Sequence, residues 1–127
     1  MAGLKHTFKI QIEDDAGRVV GRDTYVEEGE EEIEFKTDVP TGSVVVSLPV
    51  DVSQIDSFYI VSDKAVTLTE NDDGTPDLTV SLLAGVPYWW HAGMSANPFS
   101  VDIVTLKLAN AGSATASVHG AFLVTPA

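Results

Sequence analysis

The chain reads as an all-β domain, an antiparallel β-sandwich or jelly-roll-like barrel of roughly eight to ten short strands. Three observations predict this. Apolar residues alternate with polar ones in short runs, so each run has one face to bury. Valine and threonine are abundant where a helix would need better formers. Clusters of Gly, Pro, Asn and Asp interrupt the runs at short intervals. No window carries a sustained helical period. Periodicity does not encode strand order, so jelly-roll and immunoglobulin-like topologies both fit.

Alternation starts at once, with Leu4, His6, Phe8, Ile10 and Ile12 on one face and Lys5, Thr7, Lys9 and Gln11 on the other. Glu13-Asp14-Asp15-Ala16-Gly17 is turn chemistry, and Arg18 to Val26 returns as the second arm of a hairpin. Glu27, Glu28, Glu30, Glu31, Glu32 and Glu34 then crowd together, which reads as a solvated loop running into an edge strand. Ile33 and Phe35 alternate with Glu32, Glu34 and Lys36. After the break at Pro40-Thr41-Gly42, Ser43 to Leu48 reads as a strand buried on both sides.

A further strand covers Phe58 to Val61, and Val66 and Leu68 alternate after the turn Ser62-Asp63-Lys64. Asn71-Asp72-Asp73-Gly74-Thr75-Pro76-Asp77 is a strong turn signal, with glycine free to take positive φ. Leu78, Val80 and Leu82 alternate again, and Ala84-Gly85 leads into Pro87-Tyr88-Trp89-Trp90-His91. Two strands follow Asn97-Pro98, from Val101 to Ala109 and from Thr115 to Val124, separated by the turn Asn110-Ala111-Gly112-Ser113.

At 127 residues, with neither an internal repeat nor a low-complexity linker, the expectation is one domain over residues 1–127. The hydrophobic share of 44% is ordinary, and there is no apolar run long enough to span a bilayer as a helix, so no membrane partner is expected. Met1 to His6 lacks the apolar stretch and cleavage site of a secretory signal, which predicts synthesis and use inside a cell or release by lysis. A formal charge of -12 opposes binding to a polyphosphate, so nucleic acid is not an expected partner. The absence of cysteine removes disulfides, thiolate metal sites and a cysteine nucleophile.

No catalytic, cofactor-binding or metal site is expected. Gly93-Met94-Ser95-Ala96-Asn97 approaches the nucleophile-elbow pattern but ends in asparagine where that pattern needs glycine, and no helix follows. His6, His91 and His119 lie far apart without paired metal-ligand spacing. Asp72, Asp73 and Asp77 around Gly74 offer oxygen ligands of the kind calcium takes, but the closing bidentate glutamate of a calcium loop is missing. A loop whose side chains cap its own backbone is the favoured reading.

The aromatic segment is the one place that looks built for more than folding, since it holds both tryptophans. In a strand, Tyr88 and Trp90 share one face while Trp89 and His91 share the other. One pair can fill the core. The other pair is then available as an interface or a ligand platform for a sugar face. The expectation is that one tryptophan is buried in the sandwich and its neighbour lies at or near a subunit contact.

Asp51-Val52-Ser53-Gln54-Ile55-Asp56-Ser57-Phe58-Tyr59-Ile60-Val61-Ser62-Asp63, then Leu68-Thr69-Glu70-Asn71, resembles the corresponding parts of small virion-associated proteins of tailed bacteriophages and prophage-like regions. The likeness continues through Leu83 to His91, Asn97-Pro98-Phe99 and Leu106-Lys107-Leu108-Ala109-Asn110-Ala111. It covers the chain from about Asp51 onward, while the N-terminal hairpin and glutamate run match only in general style. The resemblance implies a non-enzymatic, β-rich structural protein of the virion, with an auxiliary or decoration protein of the head as the leading form. It further implies the major capsid protein or other virion proteins as partners, and a homo-oligomer such as a trimer. A tail or neck component shares that composition. A carbohydrate-binding or host-recognition domain of a tail fibre is the alternative, with Trp89 or Trp90 as the stacking platform.

Overall fold

The computed structural model describes residues 3–94 and 96–126. The strands are β1 (Leu4–Glu13), β2 (Val19–Gly29), β3 (Glu31–Val39), β4 (Gly42–Val50), β5 (Ile55–Ser62), β6 (Val66–Glu70), β7 (Leu78–Leu82), β8 (Tyr88–His91), β9 (Ile103–Asn110) and β10 (Ala116–Val124). β1 and β2 form a two-stranded ribbon. The other strands build two four-stranded antiparallel sheets, sheet I in the order β3-β10-β5-β8 and sheet II in the order β4-β9-β6-β7.

The pairings nest. β6 pairs with β7, β5 with β8, β4 with β9 and β3 with β10, so one long hairpin has its tip at Asn71–Asp77 and is rolled across itself. The rolling adds the contacts of β10 with β5 and of β6 with β9. This is jelly-roll topology, laid out as two packed sheets rather than a closed barrel.

Alternation explains the core. Inward positions place Phe58 and Ile60 of β5, Trp90 of β8 and Phe122 of β10 against Leu68 of β6, Leu82 of β7 and Leu106 and Leu108 of β9. Phe99, from the loop before β9, completes a ring cluster with centroids 5.0 Å from Phe58 and 5.7 Å from Phe122. Phe35 lies over Gly120, its pair partner on β10; a Cβ there would sit 2.4 Å from Phe35 Cε1, so only glycine lets the ring down onto the sheet.

Two expectations fail. Ser43–Leu48 is not buried on both sides: in β4, Val44, Val46 and Leu48 point inward while Ser43, Val45 and Ser47 are exposed, because among the described residues no element covers the outer face of sheet II. The glutamate run is not a solvated loop. Only Glu30 separates β2 from β3, and its N–H donates to Val124 O at 3.0 Å. β3 is nevertheless an edge strand, as the charge run suggests.

Candidate functional site

The ribbon lies across the outer face of sheet I. Its root is fixed where Gly29 packs beside Leu123 and Asp56, with room for no side chain: a Cβ would lie 2.8 Å from Leu123 Cγ. From there it crosses β5 toward β8, the free edge of the sheet. Residues opposite one another in the ribbon share a face, so the docked side carries His6 with Glu27 and Phe8 with Tyr25. Phe8 stacks on Trp89 at 4.4 Å, and Tyr25 stacks on His91 at 5.0 Å.

Two histidine contacts tie the ribbon down. His6 Nδ1 is 2.6 Å from Ser57 Oγ, and its Nε2 is 3.4 Å from Glu32 Oε1. An ionised carboxylate only accepts, so the ring proton belongs on Nε2 and the Ser57 hydroxyl donates to Nδ1. The order serine, histidine, carboxylate is that of an acyl-transfer relay. Ser57 is fully buried, however, so no acyl group reaches its Oγ while the ribbon is docked. His91 Nδ1 lies 3.0 Å from Glu27 Oε1 and 3.2 Å from the Gly93 amide nitrogen. With a proton, Nδ1 donates to Glu27; without one, it accepts from Gly93, so the two bonds exclude each other at any instant. Tyr59 packs edge-on to both His6 and His119, and burial, then the charges of Glu32 and Glu34, raise its phenol above the usual range.

The aromatic segment divides as the alternation predicts. Trp90 is 9% exposed and faces the core with Tyr88, whose phenol burial likewise pushes up. Trp89 and His91 face outward. The partner of that outer pair is, in the first instance, the chain's own ribbon. Trp89 stays half-buried and lines an open groove of about 430 Å³ between ribbon and sheet edge, with Phe8, Ile10, Tyr59 and Pro87. Histidine spacing and the glutamate run gave separate signals in the sequence; what joins them is a ribbon docking that neither signal contains.

At the rolled tip, Asp72 Oδ1 accepts from the Gly74 amide at 3.1 Å, Asp73 Oδ1 from the Thr75 amide at 3.4 Å, and Asp77 Oδ2 from Asn71 Nδ2 at 3.0 Å. Asp72 also pairs with Lys107 at 3.5 Å. The side chains serve the loop itself, and among the described residues no three His, Asp or Glu groups converge as a metal cluster. Asn71, at φ 53°, is the hub: its Oδ1 also accepts from the amides of Val104 and Thr105. Beside it Glu70 points into the core, 0% exposed, with neither carboxylate oxygen hydrogen-bonded. Burial, then the charges of Asp77 and Asp102, raise its pKa to about 7. Of the near-elbow motif, Ser95 lies outside the described residues.

Sheet II presents the opposite kind of surface. Its outward positions are Ser43, Val45 and Ser47 on β4, Thr105, Lys107 and Ala109 on β9, Thr67 and Thr69 on β6, and Thr79 and Ser81 on β7. Lys107 is the one charge among them, in a chain of 19 acidic residues.

The fold and site thus define a jelly-roll domain with a ribbon latched over one sheet and, on the other, a face whose outward strand positions carry a single charge, Lys107. No protein-family model matches the chain, and no curated sequence does. Among solved structures it is similar to a chain described under "Bacillus endospore appendages form a novel family of disulfide-linked pili", at 11% identity and a TM-score of 0.41, covering 99% of this chain and 95% of that one. The present chain has no cysteine.

Proposed function

We propose that this protein is a non-enzymatic structural component of a phage particle, and within that class a decoration protein that binds the assembled head and its major capsid protein. The phage assignment rests on the resemblance from Asp51 onward. The assembly role rests on the outer face of sheet II, whose outward strand positions carry Lys107 as their one charge, with Asp72 and Asp73 at the border beside it, on a chain of charge -12. Charge depletion is what distinguishes the centre of an interface from ordinary surface. The mechanism is mass action: a protein that binds only the assembled lattice lowers the free energy of that state.

The test is co-sedimentation of purified protein with heads that lack it, followed by heating. The decorated heads are expected to survive higher temperatures; heads that neither retain the protein nor gain heat resistance refute the reading. The groove beside Trp89 and Tyr59 favours a second reading, recognition of a host polysaccharide. That reading requires tryptophan fluorescence to shift on titration with the polysaccharide.

A further inference from the structure

The groove beside Trp89 does not end at the ribbon. Four consecutive residues of β1, Thr7 to Ile10, line it, although alternation sends their side chains to opposite faces. The strand therefore presents its edge. Among the described residues β1 hydrogen-bonds to β2 alone, so the backbone N–H and C=O groups along that edge are open to a ligand lying beside it. Phe8 and Ile10 join Trp89, Tyr59 and Pro87 in an apolar floor. Phe8 stacks on one face of the Trp89 indole, which stays half-buried and still lines the groove.

Lys9 leads out of the groove. It lies on the outer face of the ribbon, where cross-strand pairing sets Lys9 opposite Thr24 and Gln11 opposite Arg22. These four line a second cleft, of about 360 Å³, which shares Lys9 and Ile10 with the groove. The two make one surface that runs over the edge of β1. On a chain of charge -12 the cleft holds two cations, Lys9 and Arg22, and neither makes an ion pair among the described residues. Arg22 Nη2 donates to Gln11 Oε1 at 3.5 Å, and Gln11 Nε2 donates to Glu13 Oε1 at 2.8 Å, so Glu13, toward the ribbon tip, is held by Gln11. Asp23 belongs to the opposite face of the ribbon. Glu32 and Glu34 act at the Tyr59 end of the groove.

The surface therefore pairs an aromatic floor with unpaired positive charge, hydroxyls and an amide. A pyranose ring has an apolar C–H face that stacks on an aromatic ring, and a carboxylate on the same ring supplies the counter-charge for Lys9 and Arg22. A uronate joins both on one rigid unit and loses little freedom on binding, which an acidic peptide does not.

We infer that the groove and cleft bind an acidic polysaccharide, with its sugar rings on Trp89 and its carboxylates on Lys9 and Arg22. The inference rests on the second reading above, polysaccharide recognition at the Trp89 groove, and adds the chemical class and the two cations. It leaves the proposed head-binding face free, since that face is on sheet II and the ribbon lies over sheet I.

The experiment uses the full chain, calorimetric titration and three probes: polygalacturonate, the same polymer with its carboxylates methyl-esterified, and polyglutamate. Wild type is expected to bind polygalacturonate at least about tenfold more tightly than the ester at low salt. That preference should vanish near 1 M salt, where the screening length is about 3 Å. The variant Lys9→Gln with Arg22→Gln, at two exposed positions, should melt as wild type does and bind the two galacturonates equally. Bound polygalacturonate should also shield the Trp89 indole from acrylamide quenching. Equal affinity of wild type for acid and ester, an unchanged preference in the variant, or an unshielded indole overturns the inference and leaves polysaccharide recognition standing. Polyglutamate bound as tightly as polygalacturonate overturns it in favour of an acidic peptide. Binding of neither galacturonate overturns the inference and the second reading together.

Discussion

Replacing Glu70 by glutamine should make the protein more stable at neutral and alkaline pH and leave it almost unchanged in acid. Glu70 is fully buried at the end of β6, both carboxylate oxygens are without a hydrogen bond, and Asp77 and Asp102 lie close enough to repel its charge. Its pKa therefore rises from 4.5 in the unfolded chain to about 7 in the folded one. Below the lower value both states hold the proton and the carboxyl carries no charge penalty. Between the two values the unfolded chain releases the proton while the folded protein keeps it, so stability falls as pH rises. Above the upper value both states are ionised and the penalty is constant, at about 3 kcal/mol for the full shift. Glutamine has nearly the same volume and never ionises. Urea unfolding of both proteins from pH 4 to pH 8.5 should show the difference growing through that window, with the variant ahead by roughly 10 °C in thermal midpoint at the alkaline end. Comparing the pair cancels every other titrating group. A stability difference that does not change with pH would refute the reasoning, and a carboxyl carbon resonance of Glu70 titrating near its unfolded value would show why.

Gly120→Ala should destabilise by about 3 kcal/mol or more in chemical denaturation, because the new methyl meets the Phe35 ring and Ile60 from opposite strands and neither can withdraw from the core. At Asn71, Gly preserves the positive φ but loses the bonds to Asp77, Asp102, Val104 and Thr105, whereas Ala loses both; the expected order of melting temperature is Asn, then Gly, then Ala, the last down by about 3 kcal/mol. Trp90→Ala should cost about 4 kcal/mol of global stability, while Trp89→Ala should chiefly release the ribbon, read as faster amide exchange in β1 and β2 with the sandwich amides still protected.

How much of this could be read from the sequence varies with how local each feature is. The split of Tyr88 and Trp90 from Trp89 and His91 depends only on strand alternation, and it survives intact. The β1–β2 hairpin is equally local, its arms meeting across a short turn. The nesting of β3 with β10 joins residues such as Phe35 and Gly120, far apart in the chain, and no periodicity expresses such a pairing. Ser43–Leu48 misleads for a related reason. An unbroken run of Val and Ser looks like a central strand covered on both faces, yet Val45 is exposed because no element among the described residues covers the outer side of sheet II. The glutamates mislead because their partners are remote: Glu27 meets His91 and Glu32 meets His6 only once the ribbon has crossed the sheet. Glu70, a single acid in an alternating strand, gave no signal that it would be enclosed.

The nested pairing also sets a timetable for biosynthesis. β10 is the last of these ten strands to leave the ribosome, and it occupies the middle of sheet I, between β3 and β5. Until it emerges, β3 has no hydrogen-bonding neighbour and β5 lacks one of its two, so the first half of the chain must wait with open backbone edges. The tip strands β6 and β7 can pair early, and closure then proceeds outward toward both ends, a high-contact-order route that is slow and exposed to aggregation while it lasts. A dense run of negative charge immediately before and within β3 suits that interval, since it keeps the waiting edges of neighbouring nascent chains apart.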